Sequence, residues 1–324
     1  MDIYVKKAII HQFSPDDTDL YLADKFLNIT PKIEEYLRKK IERVYSDEAR
    51  TGIFEEDNPF LEMISDDLLE TSVAIANRWK EEFVVSENQK TNDLVFVQFS
   101  KEGVEHFAFL RIALRETLTH LGGEVDNPIK LTQNNLPGFG TGADEALVIN
   151  LQSRKYHLIE KRIKYNGTFL NYFSENILQA QPKISPKKSI KALEKTAQKI
   201  AESFNTDDFQ FQSKVKSAIF NHIEEENKLS PEKLADDLFD DNLTARLSFI
   251  DQVKEAVPEP VTFEEIDASR QLKKFENQKL SLSNGIELIV PNNVYEDAES
   301  VEFILNENGT YSILIKNIED IQSK

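Results

Sequence analysis

Two apolar runs joined by a tight turn constrain the fold of this chain more than any other feature. Leu94-Val95-Phe96-Val97-Gln98-Phe99 and Phe107-Ala108-Phe109-Leu110-Arg111-Ile112-Ala113-Leu114 flank Lys101-Glu102-Gly103. Their β-branched and aromatic content, short separation and turn glycine predict an antiparallel hairpin. A hairpin alone is marginal in water, so it requires further strands and a covering layer. Residues 3–13 (IYVKKAIIHQF) provide an opening strand. Thr30-Pro31 is a helix start, with Thr30 as N-cap and Pro31 in the first turn, and Ile33, Tyr36, Leu37, Ile41 and Val44 recur at helical spacing. This predicts a helix over 31–46. A second helix is expected over 59–84, where Phe60, Leu61, Ile64, Leu68, Val73, Ala76, Trp79 and Phe83 form an apolar stripe. The two helices are expected to cover one face of the sheet. Residues 122–145, rich in Gly, Pro and Asn, read as a loop, and further strands follow at 146–151 and 157–164.

After Gly167 the pattern becomes helical. Phe169, Tyr172, Phe173 and Ile177 have helical spacing, Pro182 and Pro186 interrupt the chain, and helices are expected near 187–204, 209–228, 231–240 and 243–256. Thr206-Asp207-Asp208 and Ser230-Pro231 supply helix starts. Beyond Pro258 and Pro260 the pattern returns to strands at 286–290, 301–305 and 311–315, with Asn308-Gly309 as a hairpin turn. The expected architecture is therefore α+β. An N-terminal antiparallel sheet with helices (1–166) is followed by a helical region (167–260) and a C-terminal β-hairpin or meander (261–324).

Composition limits the chemistry. The 324 residues contain no cysteine, which excludes disulfides, thiol catalysis, iron–sulfur clusters and cysteine zinc sites, and fits a reducing cytoplasm. No run approaches the roughly 20 apolar residues of a membrane span, and the N-terminus lacks a signal-peptide core, so no membrane association is expected. The formal net charge of −18 is unevenly distributed: residues 154–199 hold eleven Lys/Arg against three acids, so this stretch carries +8 and the remainder −26. Clustered cations of this kind suit a polyanion such as DNA. They equally suit pairing with the chain's own acidic helices.

Several local sequences, taken in order along the chain, resemble the bacterial 37-kDa nucleoid-associated protein family (NdpA-like, YejK-like). These are Arg43-Val44-Tyr45-Ser46 with Gly52-Ile53-Phe54, the hairpin from Val95-Phe96-Val97 through Leu110, and the strand end Asn150-Leu151. Lys161-Arg162 with the 169–173 aromatic segment and the terminal Gly285-Ile286-Glu287-Leu288 complete the likeness, which spans nearly the full length. The resemblance implies association with the bacterial nucleoid and nucleic-acid binding, and brings no catalytic motif with it.

The remaining constellations argue against chemistry. Gly138-Phe139-Gly140-Thr141-Gly142-Ala143 fits the spacing of a dinucleotide fingerprint but precedes a strand rather than a helix, so a connector or mobile binding loop is the better reading. His11, His106, His120, His157 and His222 show no zinc-hydrolase spacing. Glu226-Asn227-Lys228 and the acids Asp236, Asp237, Asp240 and Asp241 read as solvated helix ends, and Ser213, Ser217 and Ser248 lack a nucleophile elbow. No catalytic residue, metal ligand or cofactor is expected, and the chain reads as a non-enzyme.

What is left is binding. Arg154, Lys155, Lys161, Arg162 and Lys164 interleave with Tyr156, Tyr165, Phe169, Tyr172 and Phe173, a mixture that suits base stacking and equally suits a core. Lys183, Lys187, Lys188, Lys191 and Lys195 are the better phosphate candidates, because 187, 191 and 195 share one helical face. The expected partner is DNA, with RNA admitted by the same chemistry, bound with weak sequence preference in the nucleoid. A homodimer through the C-terminal hairpin is the expected assembly. The alternative is a protein–protein interaction scaffold with no direct DNA affinity.

Overall fold

The computed structural model describes residues 2–16, 19–86, 90–120, 129–165, 167–206, 208–263 and 265–322. Residues 122–128 of the expected loop and Asp207 of the expected helix start lie outside these. The chain forms two compact units, 1–185 and 186–324. The division falls later than 166 because Tyr172, Phe173, Ile177 and Leu178 belong to the core of the first unit. The helices and the strands after residue 185 together form the second.

The first unit is built on a seven-stranded antiparallel sheet, introduced here in chain order. The strands are β1 (Ile3–Ser14), β2 (Asp19–Tyr21), β3 (Arg50–Ile53), β4 (Asn92–Lys101) and β5 (Val104–Ala113). Next come β6 (Arg115–His120), β7 (Ile129–Asn135), β8 (Glu145–Asn150) and β9 (Lys155–Ile159). The sheet order is β2-β1-β4-β5-β8-β9-β3, while β6 and β7 pair separately as a two-stranded arm. The expected hairpin is β4–β5, turned by Glu102 at φ 52° and Gly103 at φ 83°, the double positive φ that matches strand twist.

Helices cover both faces of this sheet, not one. Helix α1 (Pro31–Glu42) starts at Thr30, whose hydroxyl accepts from the Ile33 N–H at 3.4 Å, with Pro31 in its first turn. Its Leu37 and Ile41 pack with Val44 and Tyr45 on Val95, Val97, Phe99, Ala108 and Leu110. The opposite face, carrying Phe96, Phe107, Phe109 and Leu147, is covered by Ile75, Ala76, Trp79 and Phe83. These come from α3 (Leu68–Phe83), preceded by the short α2 (Pro59–Glu62). The expected single helix over 59–84 is thus two, because Asp67 accepts from the Leu69 N–H at 2.8 Å and restarts the helix. Strand alternation sends successive side chains to opposite layers, so the continuous apolar run of β4 fills both.

Two further elements replace expected ones. Residues 129–135, expected as loop, form β7, and the segment after β9 makes a small hairpin of β10 (Ile163–Tyr165) and β11 (Thr168–Leu170). Phe173–Ile177 then makes one π-helical turn. Phe169 is not on a helix with Tyr172 and Phe173. It lies on β11, where it is 57% exposed, whereas Tyr172 and Phe173 are fully buried.

The second unit opens with α4 (Pro186–Ser203), α5 (Phe209–Glu226), α6 (Pro231–Leu238) and α7 (Leu243–Ala256). Asp208, Ser230 and Asn242 cap the last three of these. Leu193, Ile200, Ile219, Ile223, Leu234, Phe249 and Val253 share one core. Past Pro260 the chain is tied back by β12 (Lys228–Leu229) pairing with β13 (Val261–Thr262). There follow α8 (Ser269–Phe275), the hairpin β14 (Asn277–Ser281)–β15 (Glu287–Pro291), α9 (Asn292–Tyr295) and the hairpin β16 (Val301–Leu305)–β17 (Tyr311–Ile315). The turn at Asn308-Gly309 closes the last hairpin, with Gly309 at φ 80°.

Candidate nucleic-acid interface

The unit boundary divides the ten basic candidates. Arg154, Lys155, Lys161, Arg162, Lys164 and Lys183 belong to the first unit, and Lys187, Lys188, Lys191 and Lys195 to the second.

In the first unit several candidates are already engaged. The Lys161 ammonium lies 2.9 Å from Asp144, and the Arg162 guanidinium donates to the Phe169 carbonyl at 2.6 Å across the β10–β11 hairpin. Arg154, at φ 59° in the turn before β9, approaches Glu56 at 3.9 Å. Lys155 stands on β9 and Lys164 on β10, opposite Phe169, while the Lys183 N–H donates to the Thr51 carbonyl. Of the interleaved aromatics, Tyr156 and Tyr172 are buried, so among those with described side chains only Phe169 offers an open ring.

Helix α4 presents a different picture. Ile190, Leu193, Ala197 and Ile200 face the core, and Lys187, Lys188, Lys191, Lys195 and Lys199 are exposed. At 100° per residue Lys188, Lys191, Lys195 and Lys199 form one stripe along the outer face, with Lys187 at its edge. Lys199 donates to Gln252 at 3.2 Å. Among the described residues Lys188, Lys191 and Lys195 make neither an ion pair nor a hydrogen bond.

Several of the unit's acids, by contrast, are matched. Asp240 pairs with Lys214 at 2.9 Å, Asp236 with Arg246 at 3.0 Å, Asp237 with His222 at 2.7 Å, and Glu226 with Lys233. The Asp240 carboxyl is held below its ordinary range by its hydrogen bond from Lys214. Pairing within the unit therefore accounts for these acids without drawing on the α4 stripe. Among the described residues no group of three or more His, Asp or Glu side chains is arranged to hold a metal ion. No helix among them is long and apolar enough to cross a membrane.

A second cationic locus was not singled out in the sequence. Lys40 on α1 is fully buried, and its ammonium donates to the carbonyls of Gly138 at 2.9 Å, Thr141 at 2.5 Å and Pro137 at 3.4 Å. It also lies 4.5 Å from the centre of the Tyr36 ring, whose hydroxyl donates to the Pro137 carbonyl at 2.9 Å. Burial, reinforced by Arg43 and Arg115, lowers the Lys40 pKa to about 8, so the ammonium remains mostly charged at neutral pH. The 137–142 segment is therefore fixed to α1 rather than a loose connector. The sequence held a signal for this: position 40 is three residues after Leu37 and four before Val44, on the buried stripe.

Inside the sheet layer a polar chain crosses the core. Trp79 Nε1–H donates to Tyr172 Oη at 2.9 Å, Tyr172 donates to Glu145 Oε2 at 2.6 Å, and Arg111 Nε donates to the same oxygen at 2.8 Å. Arg111 also donates to Asn92 at 3.0 Å. Burial and the Glu145 charge push the Tyr172 hydroxyl well above the ordinary tyrosine range, so it stays protonated as a donor. Nearby, Glu160 accepts from the Ser174 N–H at 2.9 Å and pairs with Arg50. These groups are enclosed and hold the sheet to the 172–182 segment. They present no open reactive centre.

No functionally curated protein matches the chain. A family model described as nucleoid-associated protein YejK matches residues 9–321, which takes in both units, the α4 stripe and the Lys40 locus. The chain belongs to that nucleoid-associated family.

Proposed function

We propose that this nucleoid-associated protein binds DNA directly and without catalysis, through the outward lysine stripe of α4. The observation that carries the reading is the partnerless state of Lys188, Lys191 and Lys195 beside acids that are paired elsewhere in the same unit. Like charges at i, i+3 and i, i+4 destabilise a helix unless an anion lies opposite, and the described side chains supply none. Phosphates would. Contacts of this kind position a protein without reading bases, so sequence preference is weak and RNA is admitted as a ligand. The first-unit candidates Arg154, Lys155, Lys164, Lys183 and the partly engaged Lys161 and Arg162 extend the reading as secondary contacts, and Lys187 belongs with the stripe. Association with the nucleoid places the protein in the cytoplasm.

The assembly that fits is a homodimer formed by the terminal hairpin. Both outer edges of β16–β17 are unpaired among the described strands, and Leu305, Tyr311, Leu314 and Ile315 are exposed. Strand β17 carries no charge to block edge-to-edge pairing.

The deciding measurement is duplex binding as a function of salt for the wild type and for the triple change Lys188→Glu, Lys191→Glu, Lys195→Glu. Three lost phosphate contacts flatten the slope of log K against log salt by about 2.7, at about 0.9 per phosphate. An unchanged slope with an intact fold removes α4 from the interface. No wild-type affinity at low salt replaces the DNA reading with the protein scaffold.

A further inference from the structure

The Lys40 locus carries an inference beyond the α4 stripe. Its loop contains Gly138, Gly140 and Gly142, and the fold requires none of them to be glycine. None has positive φ, a Cβ at 138 or 140 meets nothing within 4 Å, and at 142 it meets only Arg43 Cδ at 3.9 Å. Having no side chain, the glycines place no Cβ over the neighbouring peptide amides. The carbonyls of Pro137, Gly138 and Thr141 are turned inward to the Lys40 ammonium. The N–H groups of Gly138, Phe139, Gly140, Gly142 and Ala143 meet no acceptor among the described residues. Carbonyls consumed inside leave several unclaimed N–H donors around the Gly138–Thr141 turn, and the free amides of a turn are donors from which an anion can accept.

The charges agree. Arg43 lies against Gly142, and Arg115 stands at the foot of the β6–β7 arm opposite Asn135, two residues before Pro137. Both side chains are exposed, and among the described residues neither guanidinium has an ion-pair or hydrogen-bond partner. The acids nearby are committed: Asp144 accepts from Lys161 at 2.9 Å and from the Ala113 N–H at 3.0 Å, and Asp93 from Gln12 at 3.2 Å. Arg43 follows the last turn of α1 and so complements the helix dipole. Arg115 is on a strand, and that account does not reach it. Phe139, 39% exposed and set edge-on to Tyr36 at 5.4 Å, adds an aromatic surface beside the amides.

We propose that the 138–142 loop, flanked by Arg43 and Arg115, is a phosphate-binding site that takes either the phosphodiester of a nucleic-acid backbone or the phosphate of a free nucleotide. The nucleic-acid source rests on the DNA reading above. The phosphate site itself does not.

The test follows the loop's backbone amide resonances in the full-length protein while an oligothymidylate or, separately, inorganic pyrophosphate is titrated in. It is repeated on Arg43→Gln/Arg115→Gln, two exposed changes that leave the Lys40 cage in place. The expected result is a saturable shift of the 138–143 amides that the double variant loses. For the oligonucleotide, the variant also shows a salt slope lower by about 0.7 for each single-strand phosphate contact removed. Shifts with the oligonucleotide alone identify a backbone site, and shifts with both probes identify a site for small phosphates as well. Loop amides that stay still with both probes overturn the proposal, even if the protein binds DNA through α4. Shifts with pyrophosphate in a protein without DNA affinity sustain the site and overturn the DNA reading.

Discussion

His11 gives the first unit a pH-dependent stability whose size follows from its surroundings. The ring is fully buried on β1. Its Nδ1 accepts from the Ala23 N–H at 3.0 Å, which leaves Nε2–H to donate to Ser72 Oγ at 3.0 Å, and that hydroxyl donates onward to the Leu69 carbonyl at 2.9 Å. Both nitrogens are satisfied only in the neutral ring. A second proton at Nδ1 would face the Ala23 N–H, donor against donor. Burial accordingly lowers the His11 pKa from 6.5 to about 4. Between these values the unfolded chain holds a proton that the folded unit does not, so stability is complete above pH 6.5 and falls as the pH drops toward 4. The slope approaches about 1.4 kcal/mol per pH unit, giving about 2 kcal/mol by pH 5 and about 3 kcal/mol in all. Trp79, the only tryptophan, sits in the same core, so its fluorescence in a urea titration follows this unit alone. His11→Gln retains an amide donor and an acceptor without the titration. The wild type is expected to lose about 2 kcal/mol relative to the variant between about pH 7.5 and about pH 5. Parallel stability profiles for the two proteins would refute the assignment of a neutral, doubly bonded His11.

Three further outcomes are expected. Tyr172→Phe deprives the buried Trp79 Nε1–H of its acceptor and Glu145 of one donor, and should cost about 1–3 kcal/mol in the same fluorescence assay. Gly52→Ala builds a Cβ 2.3 Å from Tyr156 Oη, behind a ring packed on Phe54, so a clear drop in the urea midpoint is expected, and an unchanged midpoint contradicts this packing. Leu305→Lys with Leu314→Lys charges the exposed terminal hairpin while sparing Phe303, which packs on Phe209 and Tyr295. Light scattering should then show half the wild-type mass, and a wild type that is already monomeric removes the dimer.

Features set by short-range chemistry were legible in the sequence. Thr30-Pro31 and Ser230-Pro231 are caps whose donors and acceptors lie within three residues, and the Asn308-Gly309 turn needs only its own backbone. Features set by distant partners were not. The continuous apolar run of β4 was a sign of burial on both faces, but which helix takes which face depends on the β1–β4 pairing, some 90 residues apart. Strand β7 alternates apolar and polar residues only over Ile129-Lys130-Leu131-Thr132 before the polar Gln133-Asn134-Asn135, too short a pattern to mark a strand that only its partner β6 holds. β14 escaped notice for the same reason: Asn277 to Ser281 is mostly polar, and its pairing with β15 alone defines it. Lys40 was concealed by its neighbour Lys39, since a lysine pair reads as solvated surface until a distant loop supplies the carbonyls that bury one of the two.

A strongly acidic protein in the nucleoid is less paradoxical once charge is assigned to places. The first unit carries −8 and the second −10, so neither is attracted to DNA as a whole. At physiological ionic strength the Debye length is about 8 Å, which screens charges on the far side of a unit but leaves a cation in contact with a phosphate at full effect. On the proposed reading, attraction is strongest where unmatched cations cluster, as on the α4 stripe and beside the Arg43/Arg115 loop. An approach that brings acids close to phosphate is disfavoured. On that reading the acidic body restricts orientation instead of opposing binding, and a protein with weak sequence preference would meet the duplex through its cationic surfaces. The same logic gives a use to the pairing of several acids of the second unit with its own cations. An Asp236 or Asp240 free to reach the α4 lysines would cancel the charge that makes the stripe useful, whereas Arg246 and Lys214 keep both acids occupied.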